Sequence, residues 1–252
     1  MDQINTNAAQ WEVQIQGGAS ELDYLSRHFT TPQICISKDS DSGNHVLCCD
    51  TFDACSTSEA VLHLANEQLV IIYGILRFTR DTVQPLRTGA VYRRHTDGHR
   101  DIFVHISEGV QARAEFGVLT VSVTDAFGNL IEQQPPPAER AVVIAALAHS
   151  DLSVAKAMRL LATDSKDWVA LYRIREVIES DVGGEDMLKK RGWGSAAQMK
   201  RFKHSANSVA VAGDAARHGK EAGLPPSNPM SIVEANAYVN YVLHAWLASK
   251  DA

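Results

Sequence analysis

The sequence predicts an α+β protein: a mixed helix and antiparallel-sheet domain over residues 1–134, then an all-helical bundle over residues 138–252. Three observations carry this. Short stretches with apolar side chains at every second position dominate the first half, whereas apolar residues recur at intervals of three and four in the second. Between them lies Gln133-Gln134-Pro135-Pro136-Pro137, whose prolines donate no amide hydrogen bond and favour an extended rod, a natural boundary. At 252 residues, 45% hydrophobic and 21% charged, the chain has the composition of a folded protein with a sizeable core, not of a disordered one.

Trp11-Glu12-Val13-Gln14-Ile15-Gln16 alternates apolar and polar residues and reads as a strand ended by Gly17-Gly18. Leu22, Leu25 and Phe29 are spaced for a short helix over 21–29. Residues 33–37 and 45–49 read as a hairpin across Asp39-Ser40-Asp41-Ser42-Gly43-Asn44, a run of turn formers. Ser56 followed by Glu59 has the form of a capping box, opening a long helix to about Leu76 with Val61, Leu64, Ala65, Leu69, Ile72 and Leu76 buried. Thr96-Asp97-Gly98 predicts a tight two-residue turn between strands at 90–95 and 99–107, and further strands are expected at 110–116 and 118–124. The sheet then covers the long helix.

Past the prolines, helices are expected at 138–149 (Val142, Val143, Ala146 and Leu147 inside), at 152–162, and at 167–181 with Trp168, Leu171, Ile174 and Ile178 inside. Ser195 with Gln198, and Ser231 with Glu234, form two more capping boxes. The first opens a helix packing through Met199, Phe202 and Ala206; the second opens one packing through Ala235, Tyr238, Val239, Val242 and Trp246.

The four cysteines, at 35, 48, 49 and 55, lack the spacing of a disulfide framework or a zinc site and read as free thiols. His95, His99 and His105 either line a metal or ligand site beside the turn or are surface residues of an exposed strand. No P-loop, dinucleotide fingerprint, GxSxG or HExxH is present, so no cofactor is expected. No run of about 18 apolar residues predicts a membrane span. The amino-terminal residues lack a signal-peptide pattern, and a cytoplasmic location is the expectation.

Charge is split. Residues 1–135 hold 9 Lys+Arg against 17 Asp+Glu, residues 136–252 hold 15 against 13, and Met187 to Lys220 hold eight basic residues with one acid, Asp214. Lys189, Lys190, Arg191, Lys200, Lys203 and Lys220 are therefore candidate contacts to RNA or another phosphate-bearing ligand. The acidic first half reads as a recognition surface for a protein partner. Within the basic run, Arg201 and His204 share one helical face; Asp214 stands three residues before Arg217 and four before His218, in what reads as a second short helix closed by Gly219. Histidine as acid or base, arginine on the phosphoryl oxygens and a carboxylate as orienter are what metal-independent RNA cleavage needs. Arg201, His204, Asp214, Arg217 and His218 are the candidate catalytic residues, with Glu176 a further polar partner.

A helical bundle with an Arg/His pair and an acidic residue on a preceding helix resembles the HEPN domains over residues 138–250. The resemblance implies a metal-independent ribonuclease of a bacterial toxin or phage-defence system acting as a homodimer. The family's Arg-to-His spacing is wider: here two residues separate Arg201 from His204, and none separates Arg217 from His218. The alternative is a non-enzymatic binding protein whose basic helical patch docks an acidic partner.

Overall fold

The structure, a computed structural model, describes residues 10–80, 83–105, 137–163, 167–218, 220 and 224–250. The strands expected at 110–116 and 118–124, the 133–136 part of the linker and Gly219 lie outside these residues. The chain forms an antiparallel sheet with helices, then a mainly helical region, in two compact units, Met1–Val142 and Val143–Ala252.

The first unit is built on strands β1 (Gln10–Gln16), β2 (Thr30–Thr31), β3 (Ile34–Lys38), β4 (His45–Cys48), β5 (Arg87–Arg94) and β6 (Arg100–Phe103), in the order β2-β3-β4-β1-β5-β6. Every pairing is antiparallel. Val13 sits opposite both Leu47 and Val91, and all three are wholly buried. Among the described residues this unit also holds helices α1 (Ala19–His28) and α2 (Ser58–Thr79), and α2 packs on β5 and β1 through a face that includes Val61, Ala65, Leu69, Ile72 and Leu76. By length and composition α2 could cross a membrane, but here part of that apolarity is core. Its cap is Thr57, not Ser56: the Thr57 hydroxyl accepts from the Ala60 amide at 3.3 Å because the helix starts at Ser58.

The β5–β6 turn has three residues rather than two. The His95 amide donates to the His99 carbonyl at 2.8 Å, and within the turn only Gly98 has a positive φ, 85°, as a glycine-bulged loop requires. Beside it, His95 and His99 place their Nε2 atoms 2.8 and 3.2 Å from different oxygens of Asp101. The hydrogen bond from His95 holds that carboxyl below its usual range. No three His, Cys, Asp or Glu side chains converge to hold a metal among the described residues.

Arg94 and Arg100 face each other across β5 and β6, a like-charge pair that needs counterions. The β3–β4 turn and β1 supply them. Asp39, its side chain 1% exposed, accepts from Arg94 at 3.0 Å and Arg100 at 2.8 Å, and Glu12 accepts from Arg94 at 3.4 Å. Arg100 also lies 3.6 Å above the Tyr92 ring. Burial opposes ionisation of Asp39, but hydrogen bonds from Ser42 and Arg100 outweigh it and hold the carboxyl well below its ordinary value. The four cysteines are free; Cys35 lies opposite Cys48, whose thiol burial pushes up to about 12.

The remaining helices are α3 (Pro137–Ser150), within which the two units divide, α4 (Leu152–Leu161), α5 (Trp168–Asp181), α6 (Glu185–Lys190), α7 (Ala196–Asn207), α8 (Val209–Ala212) and α9 (Ile232–Ala248). Asp151, Asp167, Ser195 and Ser231 cap α4, α5, α7 and α9 with side-chain oxygens, and only Ser231 with Glu234 completes a reciprocal box. In α3 the buried positions are Ala141, Ile144, Ala145 and Ala148, while Ala146 is exposed; a helix apolar nearly all round gives the sequence pattern no phase. The expected faces of α7 and α9 are the observed ones. Phe202 stacks on Tyr172 with centroids 5.8 Å apart and meets Tyr238 at 5.5 Å. Wholly buried Trp246 donates from Nε1 to Asp181 at 2.8 Å.

Candidate binding cleft

Half of the basic residues in the linear run, Lys189, Arg201, Lys203 and Arg217, are paired by acids that the fold brings from outside it. Arg201, on α7, donates through Nε to the Asn228 carbonyl at 3.1 Å and through Nη2 to the Pro229 carbonyl at 2.7 Å. Its Nη1 and Nη2 each meet a Glu234 oxygen at 3.0 Å. The guanidinium thus fastens the loop before α9, and the first turn of α9, onto α7. Glu234 also accepts from the Ser231 amide at 2.7 Å, and that bond together with Arg201 lowers its carboxyl to about 2.

Arg217 turns to a different element. Its Nη2 lies 2.9 Å from Glu176 and its guanidinium 4.2 Å over the Tyr172 ring, both on α5. Of the candidate residues, Glu176 pairs with Arg217 alone. The expected second helix is absent: after the four-residue α8 the chain makes one 3-10 turn, Gly213–Ala215, so Asp214 and Arg217 share no helical face. Asp214 and His218 are exposed. No ion pair or hydrogen bond of Arg201 or His204 reaches Asp214, Arg217 or His218 among the described residues.

Two of the six candidate phosphate contacts are also taken. Lys203 pairs with Glu185, and Lys189 with Glu185 and Asp186, both at 3.2 Å. Glu185 further accepts from Arg175 at 3.3 Å. Arg175 is 0% exposed, gives its other amino group to Glu179 at 2.7 Å, and lies 5.9 Å from the centre of the Phe202 ring. Sequence reasoning missed it, though the signal was there: Arg175 falls inside the apolar stripe of Leu171, Ile174 and Ile178, with a glutamate four residues on. The Lys203 ammonium, followed by Lys189 and Arg175, lowers Glu185 to about 2 against burial.

A depressed carboxyl gives stability that is complete above its ordinary value of 4.5 and is lost as pH falls towards about 2. The C-terminal unit is accordingly expected to lose stability over that window. Urea midpoints followed against pH would show it, with a shallower dependence in Glu185→Gln; an equal slope in the two proteins would contradict the assignment.

Lys190, Arg191, Lys200 and Lys220 are exposed and make no ion pair among the described residues; Arg191 lies 5.1 Å from the Trp193 ring centre. Lys200 lines a cleft of about 990 Å³ between α7 and α9, a volume typical of ligand sites. Its α7 wall carries Ala197, Lys200, Arg201 and His204; its α9 wall carries Glu234, Ala237 and Tyr241; the segment 224–228, with Pro225 and Pro226, closes it. Tyr238 and Met230, 3% and 2% exposed, form the floor. Gly194 lets Tyr238 sit there: a β-carbon at that position would stand 3.0 Å from the Tyr238 ring. His204 Nε2 lies 3.1 Å from the Leu224 carbonyl. Tyr241 donates to the Gly192 carbonyl at 3.3 Å, which brings the turn after Arg191 to that wall.

The structure thus joins Arg201, His204 and Lys200 at one cleft and leaves Arg217 at another element. The cleft itself had only indirect sequence signals, the Pro225-Pro226 pair and the capping box after Pro229. The chain matches no protein-family model, no curated protein and no solved structure.

Proposed function

We propose that the chain is a binding protein whose helical C-terminal unit docks an acidic partner without breaking a bond. The observation that carries this reading is the occupation of the arginines. A phosphate clamp needs a guanidinium with free donors, whereas Arg201 gives Nε, Nη1 and Nη2 to Asn228, Pro229 and Glu234; Arg217, which does not line the cleft, gives Nη2 to Glu176. The cations that remain, Lys190, Arg191, Lys200 and Lys220, suit attraction of a negatively charged surface more than stabilisation of one transition state.

The second reading, a metal-independent ribonuclease, is favoured by one observation: Arg201 and His204 line the same cleft. Incubating the intact protein with labelled RNA in chelator separates the two. No cleavage is expected, together with salt-sensitive binding to poly-glutamate that weakens in Lys190→Glu/Arg191→Glu/Lys200→Glu. Cleavage by the wild type that disappears in His204→Ala or His218→Ala would establish the ribonuclease instead, and binding indifferent to salt would remove charge as the basis of recognition.

A further inference from the structure

We infer that the α7–α9 cleft is a peptide-docking groove whose ligand is an extended segment of another protein, apolar along its length and bearing a carboxylate that meets Lys200. The inference rests on the binding reading above and assigns it a place and a ligand class.

The apolar character of the groove comes in part from α9. That helix buries Ala235, Tyr238, Val239, Val242 and Trp246, so a stripe on another face needs its own explanation. Val233, Ala237 and Tyr241 recur at intervals of four and therefore align along one side. All three are exposed, Val233 by 75% and Tyr241 by 54%. Ala237 and Tyr241 line the cleft, and Leu224, 87% exposed, stands on its rim. Pro225 and Pro226 have fixed φ angles and no amide to satisfy. Arg201 and the Glu234 box hold the other end of that segment. A wall fastened in this way loses little freedom when a ligand arrives.

The charge half sets the ligand's sign. Glu234 is the single acid among the lining residues, and both its oxygens are taken, one by Arg201 and the other by Arg201 and the Ser231 amide. Lys200 has no ion-pair partner among the described residues, and Arg191 borders the turn that Tyr241 grips. A ligand therefore meets one exposed lysine, Lys200, over an apolar floor. A nucleic-acid backbone would need successive cations along the groove, and the floor and segment supply Met230, Pro225 and Pro226 instead. An apolar peptide with an acidic side chain satisfies both halves, in the manner of extended segments that lie in aromatic-lined grooves.

The test uses the intact protein and a phage library of random dodecapeptides, with the enriched peptides resynthesised and their affinities measured by fluorescence anisotropy. Enriched sequences are expected to combine an acidic residue with apolar neighbours. Ala237→Arg and Lys200→Glu, both at exposed positions, are expected to weaken binding about tenfold or more with unchanged circular dichroism and melting. A lysine in place of the peptide's acidic residue is expected to restore affinity for Lys200→Glu. Absence of enrichment, or peptides that bind Ala237→Arg as well as wild type, would overturn the groove. Absence of any enriched peptide, together with poly-glutamate binding that still falls in Lys190→Glu/Arg191→Glu, would overturn the groove while leaving the acidic-partner reading intact. Binding of poly(U) blocked by Ala237→Arg, with no peptide bound, would replace the peptide by RNA.

Discussion

Arg175→Ala is expected to lower the stability of the C-terminal unit by about 3–5 kcal/mol, the usual cost of removing one partner from a buried ion pair. The arginine is wholly enclosed, and its loss both empties volume beside Phe202 and leaves Glu179 and Glu185, each about a quarter exposed, without their shared cation. Urea unfolding followed by tryptophan emission reads this unit well, since Trp168, Trp193 and Trp246 belong to it and only Trp11 lies elsewhere. Arg175→Met is expected to cost less than alanine because it refills much of the volume, while in both variants Lys203 and Lys189 still serve Glu185. A loss below about 1 kcal/mol in both variants would mean that α5, α6 and α7 are held by packing alone.

Asp39→Ala is expected to be the most damaging single change in the charge cluster of the N-terminal unit, at about 3 kcal/mol. It leaves Arg94 and Arg100 opposed across the hairpin with Glu12 and the exposed Asp41 as their remaining counterions. It also removes the acceptor for the Ser42 amide and hydroxyl, which shape the β3–β4 turn. Because the Asp39 carboxyl is held below its ordinary value, its contribution is complete above the usual aspartate range and is lost as pH falls through the folded value. The gap between wild type and Asp39→Asn, measured by thermal melting, should therefore narrow in acid. A gap independent of pH would place the effect in turn geometry rather than charge.

Local signals carried most of the fold. Val13 and Ile15 on β1, Gly98 in the hairpin, and Met199, Phe202 and Ala206 on α7 are each placed by period or turn chemistry that acts over a few residues. Two of the misses show what the sequence could not carry. In α3, alanines and valines on every side left no amphipathic phase to read. Around Arg201 the difficulty was range: its acceptors lie 27 to 33 residues away, and Glu176 lies 41 residues before Arg217. Counting charge along the chain made Met187 to Lys220 a phosphate surface, whereas in space several of those cations join α7 to its neighbours. The cleft was illegible for the same reason, since its walls come from segments joined only by the fold.

The strand order has a consequence for how the protein is made. Of the described strands β1 leaves the ribosome first, yet it ends up in the interior of the sheet, between β4 and β5. One edge can be paired once residue 48 has been synthesised; the other must wait for residues 87–94. Through that interval Trp11, Val13 and Ile15 sit beside an open row of amides and carbonyls, the kind of edge that recruits other chains. A nascent chain arrested before β5 is thus a sticky half-sheet, and its escape from aggregation depends on how quickly translation passes from α2 to Arg94.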